Sequence, residues 1–253
     1  DMSIGTLDNH VEGCRYLIHD CNYIVKVFEE YDIDPHFDVC FHLAGLSRIQ
    51  PSFKDPLSTF YSNTESCLSI AEWARSVGAK VIYSGSSSRW HDPFRSPYAC
   101  FKHMGEEIFK MYKKVYGLNA EIVRFYNVYG PGEITEGPWA AVIGLWRGQI
   151  KEGKPITIVG DGEQRRDFTH IQDIIEAIYK ISILPVREED AWELGTGKNY
   201  SLNEVADMFG DVKRVYVDDV KGNYRETLRI NDDAIRRLDW QPKDSLKEYI
   251  ENL

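Results

Sequence analysis

Residues Val81–Lys102 read VIYSGSSSRWHDPFRSPYACFK. The apolar Val81–Tyr83 predicts a buried β-strand, and the serines after it predict a polar strand end. A short loop leads to Pro97, whose missing N–H and fixed φ suit the first turn of a helix. From that start Tyr98 and Lys102 fall at i and i+4, one turn apart on the same helix face. A tyrosine with an ordinary pKa of about 10 is only about 0.1% phenolate at pH 7. A nearby ammonium favours the phenolate, and each pKa unit lowered is worth about 1.4 kcal/mol. Ser86, at the carboxyl end of the strand, stands where its hydroxyl can share a substrate oxygen with the phenol. Together the three make a general base that takes a proton from an alcohol and returns it. Alone, Tyr-x-x-x-Lys is a common spacing in which a ring packs on a lysine stem. The order strand, serine cluster, Ser-Pro-Tyr, Lys is far more restrictive.

At 253 residues the chain can bury one large core, or a core and a small lobe. No run approaches the roughly 18 apolar residues of a membrane span, so neither a membrane nor export is expected. Forty acidic residues against thirty basic ones leave a net charge of −10, which argues against a nucleic-acid partner. The five cysteines are scattered without a C-x-x-C pair and read as reduced thiols of a cytoplasmic protein. No spacing of His, Cys, Asp and Glu argues for a metal site, and His42 is expected to be structural.

The ordered motif around Ser86 and Tyr98 resembles the extended short-chain dehydrogenase/reductase family, in particular its nucleotide-sugar 4-epimerases and 4,6-dehydratases. The resemblance implies a Rossmann-type α/β fold, a doubly wound parallel sheet with a smaller C-terminal substrate lobe. It implies Ser86, Tyr98 and Lys102 as the catalytic trio, NAD as cofactor with NADP also open, and a nucleotide-diphosphate sugar as substrate. Asp1–Asn9 resembles the loop after a second Rossmann strand, with Asp1 beside the adenosine ribose. The strand, glycine-rich turn and helix of a first βα unit have no counterpart within the sequence, and a preceding segment is expected to carry them.

Further motifs follow in family order. Cys14–Ile18 is expected to be a short strand, after which Asp20 meets the adenine amino group and Cys21 gives a main-chain or packing contact. Asp20 is equally suited to cap the helix that follows. Asp38–Leu43 (DVCFHL) predicts a buried parallel strand. Leu43, Ala44 and Gly45 resemble the family's His-Leu-Ala-Ala/Gly, where small residues admit the dinucleotide. Ser84, on the strand before Ser86, joins the cofactor set by the same resemblance. Pro56–Val77 is expected to be one long helix, with Asn63 on its nicotinamide side. Arg124-Phe-Tyr-Asn-Val-Tyr-Gly130 resembles Arg-Tyr-Phe-Asn-x-x-Gly, which implies Tyr126 as a cofactor neighbour and Asn127 as a substrate contact.

In Gly160-Asp-Gly-Glu-Gln-Arg-Arg-Asp-Phe168 the resemblance implies that Arg166 pairs with the diphosphate, a task for which the guanidinium fork is suited. In Lys221-Gly-Asn-Tyr-Arg225 the resemblance implies a second diphosphate contact from Lys221 or Arg225, with Arg225 favoured. The strict βα alternation loosens near Gly132. Residues 1–131 with about 168–184 are therefore assigned to the cofactor domain, and 132–167 with 185–253 to the sugar lobe. By resemblance, the helices that start at Pro56 and Pro97 build a homodimer through a four-helix bundle.

The dehydratase branch places Asp-Glu directly after the catalytic Ser/Thr, because removing water needs an acid and a base. Ser87 and Ser88 stand there, which favours a 4-epimerase working through a transient 4-keto sugar. The alternatives are a 4-ketoreductase or synthase, a 4,6-dehydratase, and, from another class, a non-catalytic nucleotide-binding dimeric scaffold.

Overall fold

The computed structural model describes residues 2–186 and 190–253; Asp1 and its expected ribose contact lie outside them. Four parallel strands form the main sheet, in the order Val39–His42, Lys80–Ser86, Ala120–Phe125, Trp192–Leu194. The Lys80–Ser86 strand is buried along its whole length. Its side chains alternate between two cores, as the two-residue period of a strand requires. Val81 and Tyr83 meet Cys67, Ile70, Trp73 and Phe109 on one face. Ile82 meets Ile174, Trp192, Leu238 and Trp240 on the other. The helices Ser66–Val77 and Pro97–Tyr116 thus cover one face, and Ile171–Ile183 with Asp233–Leu238 covers the other. The doubly wound parallel sheet is the expected one.

The differences are local. Cys14–Ile18 forms no strand: the segment finds no ladder partner among the described residues, and most of it is exposed. Among the described residues Val39–His42 pairs only with Lys80–Ser86, and Phe41 is 42% exposed where full burial was expected. The helix expected over 56–77 is Pro56–Phe60, a π turn at Tyr61–Glu65, and Ser66–Val77. Wide turns of this kind occur mostly as single insertions within α-helices, often at functional sites.

A second core gathers Tyr129, Ile143, Trp146, Ile156, Ile158, Leu202, Val205 and Leu246. Here Ile156–Val159 pairs with Arg214–Val217 in parallel, and Arg165–Asp167 pairs with Asn199–Ser201 antiparallel. Trp146 donates to the Thr157 carbonyl at 2.8 Å, and Ser201 with Glu204 forms a capping box. Residues 185–253 do not all belong to this lobe. Trp192–Leu194 is the fourth strand of the main sheet, and Ala234, Leu238 and Trp240 pack beneath it. Trp192, Leu194 and Trp240 are buried there with Ile82, Val123 and Ile174.

Candidate active site

A cleft of about 620 Å³ opens between the two cores, at the carboxyl ends of the parallel strands. That is the position where open α/β sheets bind ligands. Ser84 and Ser86 reach it from the Lys80–Ser86 strand, and Tyr98 and Lys102 from the Pro97–Tyr116 helix. The helix starts where the sequence places it, because Pro97 sits in its first turn and the Ser96 side chain accepts from Ala99 N–H at 3.1 Å. Tyr98 donates its hydroxyl to Ser86 Oγ at 3.2 Å, and Ser88 N–H donates to the same oxygen at 3.2 Å. Ser86 thus keeps its own proton to give to a ligand.

Lys102 is buried and donates to the Ser84 carbonyl at 3.0 Å, with its ammonium 5.2 Å from the centre of the Tyr83 ring. Burial lowers the Lys102 pKa, with Cys67 and Glu106 opposing it. Burial also raises the Tyr98 pKa. The Ser86 hydrogen bond and the Arg48 charge pull it down, and Glu106 pushes it up.

Gly45 has φ +155, and a Cβ there would lie 2.6 Å from Asn63 Oδ1 and 3.2 Å from Lys102 Nζ. Only glycine leaves this space open. Leu43 and Gly45 line the cleft, while Ala44 is exposed beside them. Asn63 does not reach the cleft as a ligand: its amide accepts from Leu46 N–H at 2.8 Å and donates to the Leu46 carbonyl at 2.9 Å. It holds the loop that carries Gly45. Asp20 accepts from Asn22 N–H at 2.9 Å as a helix cap, and Cys21 is half-buried in the turn behind it.

Asn127 lines the cleft and donates to the Asp167 carbonyl at 2.9 Å and to Thr227 Oγ1 at 3.1 Å. Tyr126 is buried away from the cleft and gives its hydroxyl to Glu193. Arg166 lines the cleft, with Nη2 2.7 Å from Asn223 Oδ1, and burial lowers its pKa to about 10. Arg225 is not brought to the cleft. It is 67% exposed and pairs with Asp161 at 2.9 Å, because that carboxylate lies within reach on the outer side of the turn.

Sequence reasoning missed two features. One is Arg48, half-buried at the end of the Gly45 loop, which lines the cleft and donates Nε to the Trp139 carbonyl at 3.0 Å. The other is a buried ion cluster behind Ser86. Arg124 is clamped by Glu106 at 2.7 Å and Glu193 at 2.8 Å, and lies under the Trp90 ring at 5.0 Å. Trp90 Nε1 donates to Glu193 at 3.2 Å, which ties the loop after Ser86 to the sheet. The helical spacing of Tyr98, Lys102 and Glu106 announces one member of that cluster.

A parallel sheet wound on both faces, with a serine, a tyrosine and a lysine at its carboxyl edge, defines the short-chain dehydrogenase/reductase class. Within it, residues 8–195 match the model of the NAD dependent epimerase/dehydratase family, and the chain belongs to that family. NAD is the cofactor of that family. The chain is 32% identical over 243 residues to a UDP-glucuronate 4-epimerase of Thermodesulfobacterium geofontis, covering 88% of this chain and 72% of the relative. It is 27% identical over 285 residues to a putative UDP-glucose 4-epimerase of Methanocaldococcus jannaschii, covering 98% and 88%. Among solved structures, a UDP-glucose 4-epimerase from Thermotoga maritima with UDP-glucose superposes with a TM-score of 0.87 at 23% identity, covering 99% and 86%. Among the described residues, no helix is long and apolar enough to cross a membrane.

Proposed function

We propose that the chain is a nucleotide-sugar 4-epimerase that works through a transient 4-keto sugar, with Tyr98, Ser86 and Lys102 as its catalytic residues. The observation that carries this reading is the Tyr98–Ser86 hydrogen bond in the cleft, with the buried Lys102 lining it as well. The residues fit NAD: Gly45 leaves a cradle that a Cβ would fill, and Lys102 lies directly beside it. When bound, NAD would supply the reversible hydride acceptor for C4 of the sugar.

The chain's own residues supply the proton chemistry. Tyr98 takes the proton from the sugar 4-hydroxyl, Ser86 donates its hydroxyl to the same oxygen, and Tyr98 gives the proton back once C4 is inverted. Arg166 supplies a guanidinium for the diphosphate, and Asn127, bonded to the Asp167 carbonyl next to it, lines the same cleft. A volume of about 620 Å³ is in the range of small-ligand sites. The cleft is lined by no Asp or Glu among the described residues, which supports an epimerase over a 4,6-dehydratase. The same reading carries a homodimer joined through the helices that start at Pro56 and Pro97.

The test is Tyr98→Phe. Turnover of UDP-hexoses should fall by at least about 10³-fold while binding of UDP changes little, within the usual range for loss of a general base. Wild-type protein should invert C4 with no net consumption of NAD(P)H. Retained epimerisation in Tyr98→Phe, or stoichiometric NAD(P)H use by the wild type, overturns the proposal.

A further inference from the structure

The chain carries ten more acidic than basic residues, yet the charged side chains lining the cleft are Arg48, Lys102 and Arg166, with no carboxylate among the described residues. A wall this selectively cationic belongs to an anionic ligand. Lys102 is already engaged by the Ser84 carbonyl and buried. Arg166 is steered by Asn223 on the same side as Tyr224. Arg48 shares no hydrogen-bond partner with either. It starts the Ile49–Lys54 helix, below the Gly45 loop, and its hydrogen bonds go only to neutral carbonyls, Trp139 at 3.0 Å and Ser47 at 3.2 Å. Among the described residues no carboxylate pairs with it, and none takes a hydrogen bond from Nη2.

Its Nε bond reaches from the main sheet's loop to the segment before the Val142–Lys151 helix, so the two lobes fix the guanidinium from opposite sides. The helix it starts is tied to Tyr98, whose N–H donates to Ser52 Oγ at 3.1 Å, and both Arg48 and Tyr98 line the cleft, which puts Arg48 at the Tyr98 end of it. A buried or half-buried cation without an ion partner is expensive to hold unless a ligand supplies the counter-charge.

We infer that Arg48 forms a second anion site in the cleft, which receives a carboxylate carried by the sugar, so that the substrate is a nucleoside-diphosphate hexuronate. The inference rests on the epimerase reading for the reaction but not for the recognition. A guanidinium presents two parallel donors to a carboxylate, and a neutral hydroxymethyl group gains little from them. A charge-assisted hydrogen bond of this kind is worth about 1.5–3 kcal/mol, or about 10- to 150-fold in affinity.

The experiment compares UDP-glucuronate, UDP-glucose and UDP on the NAD-loaded protein, as wild type, Arg48→Gln and Arg48→Lys, by calorimetric binding and by C4 inversion. The quantity read is the ratio of the two sugars, in which any shared effect of Arg48 on Tyr98 cancels. Wild type should favour the uronate by at least tenfold in Kd and KM. Arg48→Gln should erase that preference, and Arg48→Lys should keep part of it, while UDP affinity moves less than threefold in both. The inference is overturned if wild type shows no preference, or if Arg48→Gln leaves the preference intact. It is also overturned if Arg48→Gln weakens UDP as much as the uronate, since Arg48 is then a phosphate ligand. Should no sugar be inverted at all, the epimerase reading fails, and the binding ratios still decide the role of Arg48. Melting curves of the three proteins separate misfolding from lost recognition.

Discussion

Tyr98 sits between opposing influences: desolvation and the Glu106 charge favour the phenol, while the Ser86 hydroxyl and the Arg48 cation favour the phenolate. The general base must lose its proton before it can accept one, so a raised pKa moves the rising limb of activity toward alkaline pH. Turnover should therefore climb with pH and level off once Tyr98 is ionised. Ser86→Ala removes a hydrogen bond that lowers this pKa, so the limb should shift to higher pH and the rate at pH 7 should fall by roughly a hundredfold. A profile of kcat/KM against pH checks it; a Ser86→Ala limb at the wild-type position would refute the coupling. The meeting of Ser86, Tyr98 and Lys102 in one cleft was readable in the sequence because Tyr98 and Lys102 depend only on local helical spacing and Ser86 on a strand end. Arg48 and Arg225 were not, since the choice between cleft and solvent is made by residues far along the chain. Trp139 draws one inward, and Asp161 holds the other outside.

The π turn at Tyr61–Glu65 and the small residue opposite it act together at the scale of elements. Gly105, on the Pro97–Tyr116 helix, comes so close to its neighbours that a Cβ would lie 2.9 Å from Cys67 Sγ and 3.0 Å from the Asn63 carbonyl, and closer still to Tyr83 Oη. The close approach keeps Asn63 aimed at Leu46, and through it the Gly45 loop. Alanine is the better helix former by about 1 kcal/mol, but overpacking a fixed core costs about 1–3 kcal/mol. The ring of Tyr83 and a backbone carbonyl cannot swing aside, so the clash should win. Gly105→Ala should lower the melting temperature by several degrees, at about 2–4 °C per kcal/mol for a chain of this size. An unchanged or higher melting temperature would show that the helices separate without penalty. Strands and helices with strong patterns, such as Lys80–Ser86 and Pro97–Tyr116, were legible from the sequence. The π turn was not, because no residue pattern within 56–77 marks it, and what it packs against, Gly105, lies on another helix. Cys14–Ile18 shows the converse: apolar content favours an extended strand, but only a partner makes it one.

At the scale of the whole molecule, the helices that cover one face of the sheet keep an apolar surface turned outward. Leu57 is 67% exposed and Tyr61 51%, and beside them Met104 and Met111 are 40% and 41% exposed. Phe60 and Phe101 pack edge to face at 5.4 Å between the two helices, which sets those side chains along one ridge. Phe101, Met104, Ile108 and Met111 recur at spacings of three and four, as a helix buried on two sides requires. Exposed apolar surface of this regularity marks an interaction face. Two such helix pairs facing each other would form the four-helix bundle of the proposed homodimer. A stable interface needs about 1,200–2,000 Å² in total, so one charge at its centre should be decisive. Met104→Glu places a carboxylate on the ridge without touching the cleft, and Met104 is absent from the cleft lining. Sedimentation at micromolar protein should give a dimer for the wild type and a monomer for Met104→Glu, with UDP affinity unchanged in both. A wild type that sediments as a monomer, or a variant that stays dimeric, would place the apolar ridge outside any self-association.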